Sequence, residues 1–254
     1  MAIRVETYKP YLGVGPVYAR EAGKPNAGLY HLGNTSELKL AHDETVIEQP
    51  DFDSPGGGTH AEVRRINSVT ASFVMHDLNA DNLAMATRGT TTAVAGGSIT
   101  DEAHTAHVGG LIRLLHPGAD AVVLTSDDGQ TTYADFEVTG AGIKVLASGD
   151  LATAIDALPD ATVGLPVKAS YTHPGYNQIE ALTEAGKVWE LVFDGMNEAD
   201  GKACVVDLWR VNLGVASEVA LKGDAFGSLP LSGKLLKDSS KGAGQSAYYR
   251  VQQV

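Results

Sequence analysis

The feature that most constrains this chain is a pair of long alternating segments about one glycine-rich stretch. From Gly28, GLYHLG and SELKLAHDETVIEQ set Leu38, Leu40 and then Val46 on the period of a strand. PDFDSPGGGTHAE, residues 50–62, holds Pro50, Pro55 and three consecutive glycines among acids, which reads as a mobile loop. VRRINSVTASFVMHD, residues 63–77, then places Val69, Ala71, Phe73 and Met75 on one face. Ser68, Thr70, Ser72 and His76 fall on the other, with Val74 the exception. Two long strands about one loop predict a hairpin. Its tip should project about 20 Å, with about six residues per side at ~3.3 Å each.

The elements around this pair are shorter. Residues 1–27 carry Tyr8, Tyr11 and Tyr18 among Pro10, Gly13, Gly15, Pro16, Gly23 and Pro25, which predicts an irregular arm lying on another surface. DLNADNLAMATRG, residues 77–89, predicts a short helix capped by Asn79 or Asp77, with Leu83 and Ala86 on one face and Gly89 as the stop. Residues 99–167 read as an inserted, mostly β module between a first part, 1–98, and a second, 168–254. Within it Asp128-Gly129 marks a hairpin turn, and Asp150 caps a short helix that Pro159 ends. After it, VWELVF and ACVVDLWRVNL form a second hairpin, joined through Asp194-Gly195 and Asp200-Gly201. SEVALKG, LPLSGKLLKD and the terminal YYRVQQV read as further strands. The predicted fold class is therefore mainly β, with one flanking short helix and a small inserted β-rich module.

Composition narrows the function classes. A chain of 254 residues can hold one large β domain or two ordinary ones, and 29 glycines with 6% aromatics suit many turns and short strands. A net charge of -12 argues against a nucleic-acid-binding surface. The charge is uneven: residues 99–167 carry Arg113 and Lys144 against ten Asp or Glu, so the module is acidic and well solvated. No apolar run is long enough for a membrane-spanning helix, and MAIRVETYKP lacks the apolar run of a secretory signal. Cys204 is the single cysteine, which excludes an internal disulfide and fits a reducing cytoplasm.

No catalytic, cofactor or metal signature emerges. His104 and His107 have a ligand-like spacing but no matched pair, so they read as exposed loop histidines. Asp51, Asp53 and His60 sit on the glycine loop, which cannot hold them rigidly. Gly13-Val-Gly15 lacks the strand and helix of a phosphate loop. NEADG, residues 197–201, lacks a twelfth-position carboxylate, because Leu208 stands there, and reads as a turn. Trp189 and Trp209 read as core or interface residues on strands.

The order of these elements is similar to that of siphophage tail tube (major tail) proteins, a family related in fold to type VI secretion tube proteins. The resemblance lies in GLYHLGNTSELKL, in DLNADNLAMATRGT and in the run from Val188 to Asp238, and residues 99–167 fall outside it. It implies a β-sandwich or barrel fold and a virion structural protein. Six subunits would form a ring, and rings would stack into a tube through which DNA is ejected. It implies assembly in the host cytoplasm, with tail terminator, tape measure and tail tip proteins as partners. DNA would pass without specific binding, with no membrane or cofactor. Under it, Pro50, Asp51, Phe52, Asp53, Pro55, Gly56, Gly57 and Gly58 form the loop that contacts the next ring. Ser68, Thr70 and Ser72 are the candidate lumen face. Tyr8, Tyr11, Tyr18, Tyr248 and Tyr249 belong to arms that span subunits. A ring-forming secretion-tube or baseplate protein, or an outward-facing carbohydrate-binding or adhesion module, is the alternative.

Overall fold

The computed structural model describes residues 10–254, so Tyr8 lies outside the described residues. The chain is mainly β, with two short helices among the described residues, and folds as two compact units. One comprises the described residues up to Thr91 and those from Ile179 to Val254; the other runs Thr92–Gln178. Both flanks of the second unit extend past the expected insertion. The reason is pairing: Gly97–Ala106 runs antiparallel to Leu165–His173, so neither strand can be left behind. No helix among the described residues is long and apolar enough to cross a membrane.

The first unit is built on one nine-stranded sheet. Its main path runs from Tyr30–His31 through Val17–Glu21, Val188–Asn197, Lys202–Leu213, Leu229–Leu235 and Thr59–Met75 to Thr35–Pro50. Gly13–Val14 pairs with Val188–Asn197, and Tyr249–Gln253 pairs with Lys202–Leu213. The pairings are antiparallel. The sheet curls, because strands far apart along it share one core. Val17, Ala71, Phe73, Leu191, Leu208, Leu213 and Leu231 pack in a single cluster. The alternation of Val69, Ala71, Phe73 and Met75 with Ser68, Thr70 and Ser72 is the inside–outside pattern of this strand: the first four are buried and the others half-buried.

The helix Ala80–Thr87 closes this core with Met85 and Ala86. Asn79 caps it, its side chain accepting from the Asn82 N–H at 2.8 Å. The left-handed residue at its end is Arg88 (φ 49°), not Gly89. Gly89 serves a different need, since a Cβ there would lie 2.6 Å from the Glu180 carbonyl oxygen.

The second unit has its own core, which includes Ile112, Leu124, Ile143, Leu151, Val167 and Tyr171. A four-stranded sheet is formed by Thr132–Tyr133, Asp120–Ser126, Leu165–His173 and Gly97–Ala106. A three-stranded sheet is formed by Phe136–Thr139, Gly142–Val145 and Leu111–Arg113. Asp128-Gly129 turns the chain between two of these strands, with Gly129 at φ 72°. The helix Asp150–Asp156 is capped differently from expectation. Gly149 is its cap residue, and the Asp135 carboxylate accepts from the Asp150 N–H at 2.8 Å.

Four further expectations are corrected. Val17–Glu21 is an ordered interior strand, because Trp189–Phe193 offers it a full edge. Asp194-Gly195 lies inside a strand, and only the turn before Lys202 joins that hairpin. Gly195 is needed there because a Cβ would meet the Phe193 ring at 2.1 Å. SEVALKG is not a strand: Gly214–Ser228 runs without helix or strand, since Leu229–Leu235 takes the ladder position between its neighbours. The strand after the glycine loop begins at Thr59 rather than residue 63, so the loop is shorter and the hairpin longer than expected.

Candidate assembly surface

The long hairpin changes character along its length. Thr35–Pro50 and Thr59–Met75 stay paired throughout, from Thr35↔Met75 to Pro50↔Thr59. Near the body, Leu38 and Leu40 join the core beside Val69, Ala71 and Phe73. From residue 42 outward on one strand, and up to residue 67 on the other, every strand residue is exposed. About nine residues per side at ~3.3 Å each make a ribbon about 30 Å long. Its base is covered on one face, where the His42 ring meets Tyr249 with a hydrogen bond of 3.1 Å to its hydroxyl; among the described residues no layer covers the rest. A two-stranded ribbon of this kind is marginal in water.

Both faces of the ribbon mix apolar and charged groups. Opposed residues share a face, so Ile47 meets Val63 on one side, with Ala61 next to them. On the other side Val46 and Ile66 flank Arg64, which bonds Glu62 at 2.6 Å and approaches Glu44 to 3.8 Å. Val46, Ile47, Val63 and Ile66 remain 40–53% exposed. Full burial of such a side chain is worth about 1.5–3 kcal/mol, so covering the half left open yields about 1 kcal/mol each. At the tip Phe52 is 83% exposed, and Gly56, Gly57 and Gly58 all take positive φ in open space. Asp51 accepts the Asp53 N–H at 2.9 Å, and this bond, with others from Ser54, holds its carboxyl below the usual range. Asp51 and Asp53 therefore make a local turn.

Among the described residues, the outer edge of Thr35–Pro50 has no strand beside it for all 16 residues. A bare row of N–H and C=O groups this long invites another strand. Glu37, Lys39, Asp43, Glu44, Glu48 and Pro50 lie along it, and charges and proline restrict which strand can add.

The candidate lumen residues Ser68, Thr70 and Ser72 do share one face, opposite the core, beside Asp43, Ala41 and Lys39 on one neighbour. Ser232 and Lys234 lie beside Ser72 and Thr70 on the other neighbour. The tyrosines divide. Tyr18, Tyr248 and Tyr249 are not free arms: Tyr18 pairs in the sheet and sits against His31, and Tyr248 and Tyr249 pack on the core. Residues 249–253 pair with 204–208 of their own chain. Tyr11 stays 53% exposed while its hydroxyl donates to the Cys204 sulfur at 3.5 Å. That bond, with burial, pushes the Tyr11 phenol up to about 12.

Some anchoring residues carried no periodic signal. Asn197, inside NEADG, fixes the segment before Gly13: its Oδ1 accepts from Leu12 N–H at 2.9 Å and its Nδ2 donates to Pro10 at 3.1 Å. Buried Asn82 donates to the Leu32 and Asp77 carbonyls at 2.9 and 2.8 Å. Trp209 lies under two cations, Lys241 at 3.6 Å and Arg250 at 5.2 Å. Trp189 meets Tyr30 edge-on at 6.2 Å.

His104 bonds Glu102 at 2.8 Å, and no group of three or more metal-ligating side chains occurs among the described residues. Burial pushes the Glu102 carboxyl up, but hydrogen bonds from Tyr171, the Leu115 N–H and His104 together hold it below its usual range. Residues 10–252 match the model of one family, described as "Protein of unknown function UCP028589". No curated protein matches the chain.

Proposed function

The chain belongs to that uncharacterised family, and we propose that it is a structural protein that self-assembles into stacked rings, forming a tail tube that conducts DNA. The observation that carries this reading is the distal ribbon, residues 42–67, exposed on both faces. A lone copy leaves Ile47, Val63, Val46 and Ile66 wet and a 16-residue edge open. Neighbouring copies arranged in a closed circle would cover both, because closure is the one arrangement that removes sheet edges. Gly56, Gly57 and Gly58 at the tip face open space, which suits a loop that meets the next ring. The small polar face of Ser68, Thr70 and Ser72 suits a lining that must let a polyanion slide.

Negative-stain electron microscopy of the purified chain tests this. Rings or hollow tubes are expected, and a chain lacking Pro55–Gly58 should give soluble rings or monomers without tubes. Normal tubes from the deletion would remove the loop's role. A wild-type chain that stays monomeric at every concentration would remove the proposal.

A further inference from the structure

Phe226 is 99% exposed and Leu221 is 86% exposed, both within Gly214–Ser228, which has no helix or strand. The base of this segment is seated: Gly227 lies so close to Leu78 that a Cβ would be 3.1 Å from its Cδ2. An anchored loop that holds a bare phenyl ring in solvent presents a knob.

The same unit carries an open pocket of about 360 Å³ beside the helix Ala80–Thr87. Tyr30, Ala84, Met85, Arg88, Trp189 and Leu213 line it, and Phe226 is not among its walls. The size falls in the range of real ligand sites. Tyr30 and Trp189 already stand edge-to-face, leaving an aromatic wall to which a third ring can add. The Arg88 guanidinium is fixed there. Its Nη2 donates to the Leu213 carbonyl at 2.8 Å, and Gly186 packs so near that a Cβ would lie 2.9 Å from its Cζ. Its Nε is buried without a hydrogen-bond partner among the described residues. A guanidinium fixed beside an apolar hollow favours an aromatic ring. At the rim Lys187 and Glu184 lie 3.8 Å apart, beside Asp81. The knob brings charges of both signs, Lys222 and Asp224, to meet them.

We propose that Phe226 of one copy enters the Tyr30–Arg88–Trp189 pocket of a second copy. The inference rests on self-association of the chain and names a contact that builds it. Made head-to-tail, a knob on one copy and a pocket on the next form a heterologous contact, the kind that propagates into rings or filaments.

The test uses full-length chains in sedimentation velocity. Phe226→Ala removes the knob, and Ala84→Trp fills the pocket; each should raise the concentration needed for assembly roughly tenfold or more, as loss of a buried aromatic anchor does. Mixed together they should form one-to-one pairs where neither associates alone, because one good knob and one good pocket remain. Wild-type assembly by Phe226→Ala would overturn this contact while leaving the tube reading intact. A mixture without pairs would also overturn it. A second readout covers a wild-type chain that stays monomeric. In a Trp209→Phe background, a peptide of residues 217–229 should change Trp189 fluorescence, and the same peptide with Phe226→Ala should not. A monomeric chain that responds keeps the pocket and loses the tube. No response from the Phe226 peptide overturns the pocket.

Discussion

The inner and outer halves of the long hairpin are made of the same two strands with continuous pairing, yet they answer to different forces. In the inner half every second residue of Val69–Met75 is buried against the core, and the ladder is held by the body. In the outer half, beyond the His42–Tyr249 contact, the ladder continues to the tip and its strand residues are exposed. Backbone pairing alone does not stabilise a ribbon of that length. The inner half explains the fold of one copy; under the proposed assembly the outer half is covered by another copy.

Substitutions can break that contrast, and on the scale of a lone copy's stability they rank clearly. Phe73→Ala, at a side chain 1% exposed, should cost about 3–5 kcal/mol in urea unfolding. Asn82→Ala should cost about 1–3 kcal/mol, because the Leu32 and Asp77 carbonyls lose their donor.

Acid sharpens the contrast from the other unit. Glu102 has a folded carboxyl held below its ordinary value near 4.5, so its contribution is present above that value and fades as pH falls through it and below. Thermal scans should show the second unit's melting temperature dropping over that window, and Glu102→Gln should flatten the drop. Ile47→Lys, in the outer half, should change a lone copy's stability by no more than about 0.5 kcal/mol. It should nonetheless abolish rings on a grid. If Ile47→Lys unfolds the subunit as Phe73→Ala does, the two halves are not distinct.

Much of this was legible in the residues. Period-two alternation marked the strands, the Pro55–Gly58 cluster marked the tip, and Asn79 marked the helix start. The point where the hairpin leaves the body was not legible, since Val46 and Ile47 look as apolar as Leu38 and Leu40. Only the tertiary fold decides which of them find a core. SEVALKG alternates like a strand but has no free ladder to join, and Asp194-Gly195 looks like a turn because its glycine answers to a neighbouring phenyl ring. Asn197 and Arg88 act through long-range neighbours that no local pattern encodes.

Amide hydrogen exchange across residues 42–67, compared between dilute and concentrated protein, tests the central claim most directly. The account predicts exchange near the open-chain limit in a lone copy and strong protection once copies associate. Protection already complete in a monomer, or none at any concentration, would contradict it.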